Sequence, residues 1–371
     1  MAEIRCDMNT ARAAVLGGCL LGGGGGGSMD QGLDLARLAV EAGQPRIVGM
    51  NSINDDDTLI TVGLVGSPAS PGACVKPAHY LRTVEMMIDD LKCSIAGIIS
   101  NENGAVGTVN GWFQSAMTGI PVVDAPCNGR AHPTGQMGSM CLDRLPDYRS
   151  VQAFAGGGGS SPYVEGLVRG TLDGAAALVR NASVVAGGLV AVARNPVSGG
   201  YVRENGAPGA IHQAIEIGKL ITEKMKLGGV EVADAVARLL GGRVLFAGQV
   251  TNIQLTTNGG FDVGEVLVEN MGTCVKLTFW NEYMTAAQRT GNDGWQRAAT
   301  FPDLITTLDC SSGLPLTTAS IQECNEVCVI VVPKARLKLG STMWRRDLIS
   351  QIESVTGEAM VDYAFNQNQE V

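Results

Sequence analysis

Residues 94–124 read SIAGIISNENGAVGTVNGWFQSAMTGIPVVD and predict the fold of the first half of the chain. The apolar runs Ser94–Ile99 and Ile120–Asp124 predict buried strands, and the segment Val106–Met117 between them predicts a helix. Strand–helix–strand order with short connections favours parallel pairing in one sheet. Because similar alternation extends over the first 165 residues, we predict an α/β fold in which helices cover a mostly parallel sheet.

The predicted secondary structure changes near Arg243. Beyond this point strand-like runs follow one another, and the turn signal Asn258-Gly259-Gly260 predicts a hairpin. The C-terminal part is therefore predicted to be a β-rich domain. We divide the chain into an α/β domain (1–165), a helical or α/β connecting segment (166–242) and the β-rich domain (243–371).

A second glycine run lies close to the first of these boundaries. The stretch AGGGGSSP, residues 155–162, is typical of a hinge or linker. The pattern from Tyr163 to Arg180 then predicts a helix.

Composition excludes several classes of partner. The chain carries 27 basic and 36 acidic side chains, a net charge of −9, whereas phosphate binding requires clustered Lys and Arg, so we expect no nucleic acid partner. The ten cysteines form no CxxC pair, which favours reduced thiols in a cytoplasmic protein over a disulfide scaffold. No apolar run reaches the ~18 residues of a membrane helix, so we expect no membrane partner. We also expect a homo-oligomer.

Six consecutive glycines, Gly22–Gly27, follow a predicted helix. Their backbone N–H groups could form an anion-binding nest or the wall of a pocket, and a flexible loop is the alternative. No lysine follows to reach a phosphate, so the pattern gives little support to nucleotide binding. The candidate ligand-binding residues of this run are Gly23, Gly24, Gly25 and Gly26.

The densest polar cluster follows the predicted strand that ends at Asp124. Ligands in open α/β sheets bind beyond the carboxyl ends of strands, so Asp124, Arg130 and His132 are candidate catalytic residues. Cys127 and His132 are close enough in sequence to be metal co-ligands or a thiol–imidazole pair. The alternative is an ordinary structured loop in which Asp124 caps, Arg130 pairs with it and Cys127 is buried. We expect Asp124 and His132 to serve chemistry more than stability.

The loop after the preceding strand holds Glu102, a candidate base or ligand. Its alternative is a solvated acid beside a helix N-terminus. Asn110 lies eight residues later and could face the same cleft. Further candidate ligand-binding residues are Asn110, Asn128 and Gln136.

Six stretches of the chain fall in the order and spacing of one bacterial family. They are LGGGGGGSMDQG, SNENGAVGTVNG, VVDAPCNGRAHPTGQM, GGFDVGEVLVE, LTFWNEYM and FPDLITTLD. On these motifs the chain resembles the S-methyl-thiohydantoin desulfurases, whose relatives are associated with hydantoinase/oxoprolinase enzymes. The resemblance extends from about residue 8 to about residue 365.

The resemblance implies a hydrolase that acts on a small cyclic amide or thio-imidate, such as a hydantoin or an S-methyl-thiohydantoin ring. Water would add to the C2 carbon of the ring and a thiolate would leave, with Asp124 or Glu102 as the base. His132 and Arg130 would position or polarise the ring, and N–H groups of the glycine run would bind its carbonyls. A divalent metal such as zinc could activate the water instead. The alternatives are a non-catalytic small-metabolite-binding protein and an accessory subunit of a hydantoinase-type enzyme.

Overall fold

The computed structural model describes residues 3–67, 70–258 and 261–365. Its N-terminal half is built on a mixed sheet, sheet A, which has eight strands. The strands of sheet A are β1 (Ile4–Arg5), β2 (Arg46–Val48), β3 (Thr58–Gly66), β4 (Ile95–Ser100), β5 (Val122–Val123), β6 (Ser150–Gly156), β7 (Val164–Gly170) and β8 (Leu189–Ser198).

The strand order of sheet A is β1-β2-β5-β4-β3-β8-β6-β7. Strands β2, β5, β4 and β3 are parallel, and β1, β8, β6 and β7 join antiparallel at the two sides. The parallel group contains both strands of the 94–124 stretch, so their carboxyl ends share one edge. The predicted α/β fold class is confirmed.

Ten helices of four residues or more accompany the described strands, apart from short 3-10 turns. They are α1 (Met8–Leu21), α2 (Met29–Ala42), α3 (Pro77–Leu91), α4 (Trp112–Thr118), α5 (Leu172–Val185), α6 (Gly199–Asn205), α7 (Ala210–Lys224), α8 (Gly229–Leu240), α9 (Arg346–Thr356) and α10 (Val361–Phe365).

The C-terminal half is built on sheet B, which is antiparallel throughout and also has eight strands. They are β9 (Arg243–Asn258), β10 (Phe261–Asn270), β11 (Thr273–Trp280), β12 (Glu282–Thr290), β13 (Gln296–Thr300), β14 (Leu304–Asp309), β15 (Pro315–Leu316) and β16 (Glu326–Val332). Their order is β13-β12-β11-β10-β9-β16-β14-β15. Strands β9 and β10 form the predicted hairpin, whose turn residues Gly259 and Gly260 lie outside the described residues.

The helix predicted for Tyr163–Arg180 is wrong in its first half. Residues Val164–Gly170 form strand β7, which pairs along its whole length with β6, and α5 begins only at Leu172. Val164, Leu167 and Val168 have helical spacing, but the hydrogen bonds to β6 decide the local structure. The glycines before β7 therefore belong to the connection within a hairpin of sheet A, not to a linker between domains.

Helix α1 fixes the position of the glycine run that follows it. At Gly17 a Cβ atom would lie 1.8 Å from the carbonyl oxygen of Ala214 in α7, so glycine permits the two helices to touch. One apolar core then joins α1 to sheet B, with Leu20 of α1, Val232 of α8, and Leu304 and Ile330 of sheet B as members. The end of α1 is thereby held between the two sheets.

Across the described ranges, no helix combines the length and the apolar character that a bilayer crossing requires.

Candidate functional site

The candidate site begins at the carboxyl ends of β4 and β5. The loops that follow these neighbouring strands are tied together by backbone hydrogen bonds, from Cys127 N to Ser100 O (2.9 Å) and from Asn103 N to Asn128 O (3.1 Å). Parallel pairing thus brings the loop with Glu102 against the loop with His132, as the sheet rule predicts.

Glu102 and His132 are in direct contact. The His132 backbone N–H donates to Glu102 Oε2 (3.3 Å), and the imidazole Nε2 lies 3.3 Å from the same oxygen. Burial lowers the pKa of His132 to about 4, so the ring is neutral and its contact with the Glu102 carboxyl group is not an ion pair. Its Nδ1 has no hydrogen-bond partner within the described residues.

Glu102 has an unusual environment for a carboxyl group. Burial raises its pKa to about 8, although the His132 backbone N–H and the positive charges of Arg194 and Arg130 oppose this shift. Its side chain is nevertheless 18% exposed, whereas that of His132 is 2% exposed. Glu102 is therefore a partly exposed acid whose burial favours the protonated form over the carboxylate.

Arg130 crosses from its loop to sheet B. Its Nη1 donates to the carbonyl oxygens of Pro302 (3.1 Å) and Asp303 (2.5 Å), and its guanidinium stacks on the Phe301 ring at 4.5 Å. Burial lowers its pKa to about 10, so it keeps its charge at neutral pH. In the part of the chain described, its Nη2 has no partner. The guanidinium is therefore hydrogen-bonded to sheet B through Nη1, whereas Nη2 is buried without a hydrogen-bond partner among the described residues.

Glu282, at the start of β12, completes the charged cluster. Burial, followed by the charge of Glu102, raises the pKa of Glu282 well above its ordinary value, and Arg130 opposes the shift. The charges of Glu102, Glu282 and Arg130 thus influence one another in buried surroundings, which disfavour ionising both acids together.

The glycine run packs over this cluster. The carbonyl oxygens of Gly23, Gly24 and Gly26 accept the backbone N–H groups of Tyr283 (2.7 Å), Thr318 (2.9 Å) and Val106 (3.0 Å). A Cβ atom at Gly25 would lie 2.1 Å from Glu282 Oε1. The glycine run is therefore an ordered loop that packs over Glu282. Its backbone approaches the carboxyl group so closely that a side chain would not fit at Gly25.

A pocket of about 230 Å³ opens beside the cluster. Its lining includes Arg194, Gln136 and the buried Gln152, together with Phe261 of sheet B. Arg194 Nη2 donates to Asn101 Oδ1 (2.8 Å), and Asn101 Nδ2 lies 3.4 Å from His132 Nε2. A chain of polar contacts therefore connects the pocket to Glu102.

Asp124 has a different environment from the one we predicted. It is buried, and Oδ1 accepts the backbone N–H of Ile211 (2.7 Å) while both oxygens lie within 3.4 Å of the His212 backbone N–H. These donors belong to the first turn of α7, so the carboxylate anchors that helix end. Burial raises the pKa of Asp124 to about 6. This geometry favours the structural alternative for Asp124 over a catalytic role.

Cys127 and His132 do not fit a shared metal site. The Cys127 thiol lies 3.5 Å from the Thr61 hydroxyl, and burial raises its pKa to about 11, which disfavours the thiolate that binds zinc. His132 faces Glu102 and Asn101 instead. Among residues 3–67, 70–258 and 261–365, no three His, Cys, Asp or Glu side chains are grouped as metal ligands.

The three remaining candidates are dispersed. Gln136 lines the pocket and donates to Asp173 Oδ1 (3.0 Å). The side-chain oxygen Oδ1 of Asn128 accepts the N–H groups of Gly129 (3.0 Å) and Gly340 (3.2 Å), which anchors the C-terminal segment. Asn110 is buried at the turn ahead of α4.

Comparison with protein families identifies both halves of the chain. Residues 10–164 match the model described as S-Me-THD-like, N-terminal domain, and residues 172–340 match S-Me-THD-like, C-terminal domain. The chain belongs to the S-Me-THD-like family. This confirms the predicted resemblance to S-methyl-thiohydantoin desulfurases and associates the chain with a thiohydantoin-related role.

The fold of this S-Me-THD-like protein also occurs in a solved structure. A crystal structure of a protein from Chromobacterium violaceum matches with a TM-score of 0.71 and 19% identity, over 96% of each chain. At that identity the likeness concerns the fold alone. A comparison with curated proteins gave no match.

Three residues that surround the candidate site were missed from the sequence: Asn101, Arg194 and Glu282. Arg194 interrupts the apolar run LVAVARN, and Glu282 follows the apolar run that ends at Trp280. A charge inside or beside a buried strand is costly unless it is paired, and this signal could have found both. Asn101 precedes Glu102 directly and carried no signal of its own.

Proposed function

We propose that this protein hydrolyses a small cyclic thio-imidate or amide ring of the hydantoin or S-methyl-thiohydantoin type. The observation that carries the proposal is Glu102, a partly exposed acid with a pKa of about 8 in contact with a neutral imidazole. A general base works best when its pKa lies near the working pH. Family membership supplies the substrate class.

The reaction needs one base and one stabilising charge. Ionised Glu102 takes a proton from water as the water oxygen bonds to the C2 carbon of the ring. The C–S bond then breaks, the methylthiolate leaves with its electron pair, and the proton on Glu102 returns to it. The products are the ring carbonyl compound and methanethiol, so atoms and charge balance.

The neighbours of Glu102 have complementary tasks. The positive charge of the buried Arg130 guanidinium, which opposes the raised pKa of Glu102, would stabilise negative charge that develops on the ring during water addition. His132 orients Glu102 through its backbone N–H, which donates to Oε2 at 3.3 Å, and its neutral imidazole contacts the same oxygen. The pocket lined by Arg194 and Gln152 would hold the ring or its substituent.

The test is turnover of a synthetic S-methyl-thiohydantoin, with the corresponding hydantoin and an unsubstituted thiohydantoin as further substrates. Product is followed as the ring compound by chromatography, because the exposed thiols of Cys93 and Cys324 would consume thiol reagents. We expect turnover by the wild type and a loss of roughly 10²–10⁴-fold in Glu102→Gln, the range for removal of a general base.

Glu216→Gln is the matched control, because Glu216 is an exposed acid paired only with His212 on α7. This variant should keep the wild-type rate. A wild-type protein that binds these rings in calorimetry without turning them over would instead support the metabolite-binding alternative. Full activity in a folded Glu102→Gln variant would exclude Glu102 as the base.

A further inference from the structure

Two thiols outside the charged cluster lie within contact distance. Cys310 follows β14 directly and Cys328 is in the middle of β16, and their sulfur atoms are 3.2 Å apart. The two strands are paired through Leu308 and Cys328 and through the hydrogen bond from Cys310 N to Glu326 O (2.8 Å). The backbone pairing therefore fixes both sulfurs beside each other.

The two thiols differ in accessibility. Cys310 is half-buried at the turn after β14, whereas Cys328 is buried in the apolar core below α8. The two thiols share a hydrogen bond in which either sulfur can donate, and this contact lowers the pKa of Cys310 and raises that of Cys328. One thiol is therefore placed to react first and the other to follow.

Other cysteines in the described ranges have hydroxyl neighbours. Cys127 contacts Thr61, Cys93 contacts Thr58 and Cys141 contacts Ser341. A hydroxyl cannot close a disulfide, so the Cys310–Cys328 pair differs from these in chemistry as well as in distance.

We propose that Cys310 and Cys328 form a reversible dithiol–disulfide site that reacts with low-molecular-weight disulfides such as oxidised glutathione. The Cys310 thiolate attacks one sulfur of the external disulfide, whose S–S bond breaks and releases one thiol. Cys328 then loses its proton and attacks the Cys310 sulfur of the mixed disulfide, which releases the second thiol. Two protein thiols are oxidised to one disulfide, and the external disulfide is reduced to two thiols.

The movement that this chemistry requires is small. A disulfide has sulfurs about 2.05 Å apart, so the two side chains need to approach by little more than an ångström. Cys310 is hydrogen-bonded to Glu326, two residues before Cys328 on β16, so the two cysteines lie diagonally across the paired chain segments. This site lies in sheet B, and the proposal does not depend on the proposed hydrolase activity.

The experiment is incubation of the folded full-length protein with oxidised glutathione, followed by alkylation and peptide mapping by mass spectrometry. We expect a Cys310–Cys328 cross-link that dithiothreitol reverses. In Cys328→Ala the second step is removed, so Cys310 should accumulate a stable glutathione adduct. Cys324→Ser is the matched control, since Cys324 is exposed and close in sequence, and it should keep the cross-link.

Two results would overturn the proposal. The first is a digest of oxidised wild-type protein without the Cys310–Cys328 peptide, whatever happens at the exposed Cys93. The second is a cross-link from Cys310 to Cys324, since this would show that the turn rearranges and that the buried thiol is not the partner.

Discussion

Glu102 and Asp124 follow neighbouring parallel strands and are both acids in buried surroundings, but their hydrogen bonds differ. Asp124 is engaged by the backbone N–H groups of Ile211 and His212 at the start of α7. Glu102 receives one long backbone hydrogen bond from His132 and remains 18% exposed. The sheet topology brings both acids to one edge, and the local hydrogen bonds decide which one is available for chemistry.

The largest stability effect is expected from the cation next to Glu102. Arg130→Met removes the positive charge that interacts with Glu102 and Glu282, and it removes the donor to the carbonyl groups of Pro302 and Asp303. A buried acceptor left without a donor costs about 1–3 kcal/mol, and two carbonyls lose theirs, so urea unfolding should show a loss of a few kcal/mol.

The double variant Arg130→Met/Glu282→Gln sharpens this prediction. It removes a buried carboxyl group together with its counter-charge, and it should recover part of the lost unfolding free energy. A single Arg130→Met variant as stable as the wild type would show that the guanidinium does not compensate the two acids.

A smaller effect is expected from the cover over the cluster. In Gly25→Ala the new methyl group would lie 2.1 Å from Glu282 Oε1, so the loop or the carboxyl group must move. Overpacking of this kind costs about 1–3 kcal/mol in unfolding free energy. Gly294→Ala is the control, because no atom lies within 4 Å of its Cβ position. Equal stability of the two variants would mean that the glycine run does not pack tightly against Glu282.

The smallest of these effects concerns Asp124. Asp124→Ala removes the acceptor for the first turn of α7, and loss of such a cap costs about 0.5–2 kcal/mol. Turnover per folded molecule should remain at the wild-type level. If the variant is stable but inactive, Asp124 is a catalytic residue and the distinction from Glu102 fails.

Much of the fold could be predicted from local patterns in the sequence. The strands on either side of Val106–Met117 are correct because long apolar runs with short loops leave few alternatives. The edge strand β7 was misread because its apolar spacing fits a helix equally well, and only pairing with the distant residues of β6 resolves it.

The site was predictable only in part. Glu102, Arg130 and His132 were found because they follow strand ends, and the structure brings them together. The task of Asp124 depends on α7, almost ninety residues later in the chain. Glu282 comes from the other sheet. Contacts between residues so far apart in sequence leave no local pattern.

The measurement that tests the central claim most directly is the pH dependence of unfolding free energy in the wild type and in Glu102→Gln. The folded-state pKa of Glu102 is raised from its ordinary 4.5 to about 8, so the native state binds a proton that the unfolded state releases between these values. Its stabilising contribution is complete below pH 4.5 and is lost as pH rises through about 8. The wild type should therefore lose stability relative to Glu102→Gln across this window, and a difference that is constant with pH would contradict the assignment of Glu102 as the available acid.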